Sequence, residues 1–277
     1  MRIGKFTLQL LIITVLLWNP LVAAIPENVG MDTVKLENPI TVKYLKRNLK
    51  KSGPKLALTS ALERNLKRKI KNDPLVENYY QALKANADKV LSAPVLTRNV
   101  IGRRLLGTSR DMLHRVNVLG IAYLIENDKK YLDKINEEVI AVSNFSDWNP
   151  SHFLDVAEMA TAVALAVDWV GDDLPDATVK LAKDALIEKG IAPSWNGGKG
   201  RMYGTNNWNQ VCNAGMIAAA IVIADQDIEL AAKTIHRSGS MDRMALTLKV
   251  QPIGDMVLPL LSLPLPCLRQ HLVPTSA

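Results

Sequence analysis

A chain of 277 residues with 48% apolar and 22% charged side chains has globular composition, enough for one large domain or two small ones, and excludes disorder along its whole length. Two cysteines, Cys212 and Cys267, exclude a disulfide framework. No cysteine and histidine cluster has metal-ligand spacing, so no metal and no cofactor is expected, while the net charge of +7 directs attention to anionic partners.

The first stretch, MRIGKFTLQLLIITVLLWNPLVAA, places Arg2 and Lys5 before an apolar core and ends in the small-residue site Val22-Ala23-Ala24. That is the layout of a signal peptide over residues 1–24, for a secreted or periplasmic protein of the cell envelope with no membrane span after cleavage. An uncleaved anchor is the other reading, though the apolar run is short for a bilayer. Residues 25–54 read as an extended, proline-marked basic leader. From Lys43 to Lys71 there are eleven basic residues against one acid, Glu63. Such a segment suits an anionic polymer or a membrane surface, and equally a solvated helix face with a flexible arm. For an exported chain, nucleic acid is a poor partner and an acidic polysaccharide the more sensible anion.

From there helical periodicity dominates, and no alternating strand pattern is convincing. Helices are predicted over 56–72 and 74–92, the second capped by Asp73 with Pro74 at its first position. A third runs over 109–126, capped by Thr108 or Ser109. It turns at Asn127-Asp128 into an antiparallel partner over 129–143. A helix over 150–170, capped by Asn149, is followed by an amphipathic one from about 176 that ends at Gly190 as a C-cap. After a loop over 191–205 come helices over 206–225 and 227–237. The 150–170 and 206–225 helices are apolar almost all round and belong inside; 129–143 and 176–190 carry charge on one face and belong outside. Alternating inner and outer helices put every inner amino end at one rim. The fold class is therefore all-α: an incomplete (α/α) toroid of antiparallel helical hairpins over 55–238, with an irregular Pro/Leu-rich tail over 239–277.

That rim collects the polar residues. Asn206, Asn209, Gln210 and Asn213 share one stripe of their helix, with Asn207 beside it. His152, Asp155 and Glu158 occupy the first turns of the other inner helix, where free N–H groups and the positive dipole end favour a carboxylate or sulfate. The preceding loop adds Trp195, Lys199, Arg201 and Tyr203: an aromatic ring for a sugar face, cations for a carboxylate, and a phenol for proton transfer. Plain alternatives stand beside each. Asn206 or Asn207 suits an N-cap, His152 with Asp155 suits a capping and surface pair, and Trp148, Trp169 and Trp208 suit the core as well as a platform.

The segments SRDMLHRVNVLGIAYLIENDKKYL, DWNPSHFLDVAEMATAVALAVDW and NNWNQVCNAGM, in this order, resemble the amino-terminal toroid of heparinase II/III-like polysaccharide lyases, a group that includes oligoalginate lyases. The similarity spans roughly residues 75–238. It implies β-elimination on uronic-acid-containing polysaccharide, in which an amide neutralises the carboxylate, a base removes the C5 proton and a tyrosine protonates the leaving O4. The amide role falls on Asn207, with Asn206 second. Tyr203 and His152 stand in as acid and base without a matching motif, and Arg201, Trp195, Lys199 and Gln210 join Asn206 as substrate-binding residues. Relatives with an Asn-His pair carry histidine where this chain has Trp208. Beyond residue 238 the tyrosine-bearing segment and β-sandwich domain implied by the resemblance give way to prolines recurring from Pro252 to Pro266. The expectation is a truncated or frame-shifted gene product; if its tail replaces the catalytic half, part of a sugar-binding groove and little turnover remain. A non-catalytic helical-hairpin module binding an anionic glycan or protein is the alternative, and a hydrolase using Asp155 and Glu158 a third.

Overall fold

The computed structural model describes residues 38–196 and 207–239. The signal peptide expected over residues 1–24, the first part of the expected leader, the loop residues Lys199, Arg201, Tyr203 and Asn206, and the tail beyond Gly239 lie outside the described residues. In chain order the helices are α1 (Val42–Asn48), α2 (Ser60–Asn72), α3 (Pro74–Leu91), α4 (Leu106–Glu126), α5 (Lys129–Ser143), α6 (Phe153–Val170, entered through a 3-10 turn at Pro150–His152), α7 (Asp176–Ala185), α8 (Ala192–Asn196), α9 (Asn207–Val222) and α10 (Ile228–Gly239). Among the described residues there is no strand, only a single bridge between Ile101 and Arg104, so the class is all-α. No helix among them is long and apolar enough to cross a membrane.

Helix α6 is the centre of the core. Every residue in it is buried except Glu158 and Asp168, as its run of Ala and Val demands. It packs mainly between α4 and α9, while α5 and α7 pair with each other and α10 lies on α9. The three inner helices run in the same direction. At one end Ser109 Oγ of α4 donates to Asp155 O of α6 at 2.9 Å, and His152, just ahead of α6, meets the Trp208 ring of α9 at 4.9 Å. Toward the other end of α4 and α6, Gly120 leaves room for Trp169, whose Cε3 would lie 2.9 Å from a Cβ at that glycine.

The α6–α9 contact is closest at Gly215. A Cβ there would sit 2.9 Å from the carbonyl carbon of Ala157 and closer still to its oxygen. Gly215→Ala raises helix propensity by up to about 1 kcal/mol. Against a facing backbone that cannot rotate away, it is nevertheless expected to cost about 1–3 kcal/mol net in urea denaturation. A stabilised variant would mean that the two backbones are not in contact.

Several predicted boundaries move, each for a tertiary reason. Thr108 and Ser109 lie inside α4 rather than capping it, because the Leu105 N–H is held by Asp155 and the helix starts at Leu106. Asn149 does not cap α6; its backbone is left-handed, with φ +59°, and its side chain turns inward. Gly190 ends no helix. The chain continues from α7 through a π turn at Leu186–Ile191 into α8, and Gly190 is buried against Trp148, where a Cβ would be 3.4 Å from Cζ3. The expected 191–205 loop is thus helical as far as Asn196.

The leader is not wholly extended either. Thr41 Oγ1 accepts the Tyr44 N–H at 3.1 Å and caps α1, whose Leu45 is completely buried. Asn38 Nδ2 donates to His236 O at 2.7 Å, tying this segment to α10. Further on, the Lys55 and Leu56 N–H groups both donate to Asp168 Oδ2 at 2.7 Å, and Trp169 Nε1 donates to Leu56 O at 2.9 Å. Burial pushes the Asp168 carboxyl up, against the pull of these two amides and of the Lys55 ammonium. The basic leader is consequently stapled along the carboxyl end of α6.

Candidate functional site

The amino ends of α4 and α6 converge on one carboxylate. Asp155 is fully buried, and its Oδ2 accepts the Leu105 N–H at 2.6 Å and Asn149 Nδ2 at 2.7 Å, while its Oδ1 faces His152 Nδ1 at 2.5 Å. Asn149 Nδ2 also reaches Arg103 O at 2.9 Å, so the turn before α4 and the turn before α6 share a hub. Two donors already point at Asp155 Oδ2; in the tautomer that donates through Nδ1 to Oδ1, His152 Nε2 carries the lone pair. It is shielded from solvent and has no hydrogen-bond partner among the described residues, and Trp208 stands edge-on to the ring at 75°.

The second carboxylate of this rim is engaged too. Arg110 Nε lies 2.9 Å from Glu158 Oε2 and 3.2 Å from Oε1, a forked pair across α4 and α6. Burial pushes the Glu158 carboxyl up, and the Arg110 guanidinium opposes it. The Asp155 carboxylate is thus taken up by Leu105, Asn149 and His152, and that of Glu158 by Arg110 of α4.

The chain matches no protein-family model and no curated protein. Among the described residues no group of three or more His, Cys, Asp or Glu side chains is placed to hold a metal ion.

The amide stripe of α9 divides. Asn209 and Asn213 are buried, with Asn213 Nδ2 donating to Asn209 O at 2.9 Å and lying 3.2 Å from Asn209 Oδ1. Gln210 is exposed. Two of the five amides are thus buried inside the bundle, with the Asn213 amide N–H groups directed at Asn209. Asn207 opens α9. Among the tryptophans, Trp148 and Trp169 are core residues with their indole N–H groups on Val142 O and Leu56 O, and Trp208 borders His152.

Trp195 is 42% exposed but only partly a platform. The Arg237 guanidinium stacks on its ring at 3.7 Å and hydrogen-bonds Ser194 through O and Oγ. Beside them an open cavity of about 390 Å³ is lined by Trp195, Ile40, Val42, Lys233 and His236. Of the predicted residues, the structure brings His152 to the shared rim, with Trp208 beside it, and puts Trp195 in a neighbouring groove. Sequence reasoning missed Asn149, the Leu105 N–H, Arg103 and Arg110. They lie outside any helical stripe of the inner pair, and only the adjacency of the "NVIGRRL" turn to a helix start hints at them.

Proposed function

We propose that this protein is an exported polysaccharide lyase-like protein whose rim takes the uronate units of an acidic polysaccharide, and that its parallel inner helices belong to an incomplete (α/α) toroid. The observation that carries the reading is the pair of buried Asp155 and half-buried His152 at the amino ends of the inner helices, whose Nε2 has no hydrogen-bond partner among the described residues. In this scheme the Asn207 amide holds the carboxylate and lowers the cost of charge building at C5. His152 Nε2 takes the C5 proton, electrons move into the C4–C5 bond, and the C4–O4 bond breaks with a proton supplied by Tyr203. Export rests on residues 1–24 alone.

The covered position of Nε2 favours a second reading. Here the Asp155–His152 pair is a brace between helix ends, and the rim binds the acidic chain without cleaving it. Incubation with alginate, heparin and heparan sulfate, following the absorbance of the unsaturated uronate, separates the two. Cleavage that falls at least a hundredfold in both His152→Gln and Asn207→Ala is the expected result for the lyase. Salt-sensitive binding with no product supports the binding module. Neither product nor binding across the panel overturns both.

A further inference from the structure

The turn in front of α4 carries Arg103 and Arg104 immediately before Leu105, whose N–H is bonded to Asp155. Both arginines are exposed. The nearby cations are already engaged, Arg98 with Asp147 at 2.6 Å and Arg110 with Glu158, whereas among the described residues no carboxylate lies within ion-pair distance of Arg103 or Arg104. Their backbone is held on three sides. Ile101 N–H donates to Arg104 O at 2.9 Å and Arg104 N–H to Ile101 O at 3.2 Å, closing a tight turn through Gly102 at φ +63°. Arg103 O accepts from Asn149, and the next residue is anchored on Asp155. At the base of the turn Ile101 is 75% exposed, an apolar side chain in the same turn as the two arginines.

We infer that Arg103 and Arg104 form an anion-recognition pair for the carboxylate or sulfate groups of an acidic oligosaccharide, mounted on a turn whose backbone is bonded to Asn149 and Asp155; this rests on the acidic-glycan reading above. Three features support it. Guanidinium groups pair such oxyanions through two parallel hydrogen bonds, which lysine cannot do. A backbone already fixed by the turn and the hub loses little entropy when ligand arrives, so more of the pairing energy appears as affinity. The exposed Ile101 offers the apolar face of a sugar ring a surface that the neighbouring polar residues lack.

The test is titration of the full chain with heparin and alginate oligosaccharides and with a neutral glucan of equal length, at two salt concentrations. The R103A/R104A double variant is compared with K89A/K129A, which removes the same charge from exposed positions of α3 and α5 outside the basic 43–71 segment. Neither pair of side chains holds the fold together, and circular dichroism checks that both variants keep their helices. Binding of acidic chains by the wild type, about tenfold or more weaker in R103A/R104A with a shallower salt dependence and near wild-type in K89A/K129A, is the expected outcome. If the wild type binds and R103A/R104A binds as well, or both double variants lose equally, the arginine pair is overturned and the acidic-glycan reading stands. If the wild type binds no acidic chain, both fall.

Discussion

Asp155→Ala is expected to lower stability by about 3–5 kcal/mol, since three donors directed at a fully buried carboxylate would lose their acceptor at once. The Leu105 N–H, Asn149 Nδ2 and His152 Nδ1 all lie within 2.7 Å of its oxygens. Each buried donor left unmade costs about 1–3 kcal/mol, less than additively because the helix ends can relax together. Urea denaturation measures the loss, and a change below about 1 kcal/mol would remove the hub from the description of this fold. Asp155→Asn gives a second, more specific readout. Its amide NH₂ can face His152 Nδ1 only as a donor if the remaining oxygen keeps Leu105 and Asn149. The imidazole proton should then move to Nε2, a tautomer change visible in the ring ¹⁵N shifts. The lyase scheme would lose its base in that variant even where the protein stays folded.

Glu138→Ala is expected to cost about 3–5 kcal/mol for a different reason: it removes the buried carboxylate shared by two cations and leaves Arg115 only the more exposed Asp111. Arg115 Nη1 is 2.5 Å from Glu138 Oε1, with side-chain exposures of 8% and 1%. Lys134 Nζ is 3.5 Å from the same oxygen, and the Leu96 N–H donates to Oε2 at 3.0 Å. The two cations also reach the chain between α3 and α4, Arg115 through Pro94 O at 2.7 Å and Lys134 through Ala93 O at 2.9 Å. Burial works to lower the Arg115 pKa, but the hydrogen bonds and charges of Asp111 and Glu138 raise it on balance, so the guanidinium stays charged and needs its partner. The cluster clamps residues 93–96 across α4 and α5. Thermal and urea unfolding of the variant should show the full loss. Asp133→Asn, which breaks the exposed pair of Asp133 with Lys129, should stay within about 0.5 kcal/mol of the wild type. Equal effects from the two substitutions would contradict the burial assigned to Glu138.

Periodicity and composition made much of the bundle legible. The Ala- and Val-rich runs of α6 and α9 have no polar face, so they can only be interior, and the charged faces of α5 and α7 can only be outer. The short Asn127-Asp128 link dictates an antiparallel pair, and from that alternation follows the shared direction of α4, α6 and α9. His152 and Asp155 could be placed at the rim for the same reason: three residues apart at the start of an inner helix, they meet on one face.

What local pattern left open was which groups would be used up by one another. Asn209 and Asn213 look like rim amides on a helical wheel, yet a wheel has no neighbours, and in the bundle both are buried. Gly190 carries the mark of a C-cap, but its missing side chain serves the contact with Trp148. Asn149 and Ser109 have the chemistry of caps, and both are drawn off by Asp155, one through its carboxylate and the other through its backbone carbonyl. By itself the sequence determined the all-α class, the division into inner and outer helices and the common direction of the inner ones, because each follows from where apolar surface can be hidden. Only the tertiary structure decided that Asp155 is the hub, that Glu138 holds Arg115 and that the turn carrying Arg103 is bonded to Asn149 and Asp155. Those pairings join residues roughly 20 to 50 positions apart, and such distances are set by how helices cross rather than by any repeat along one of them.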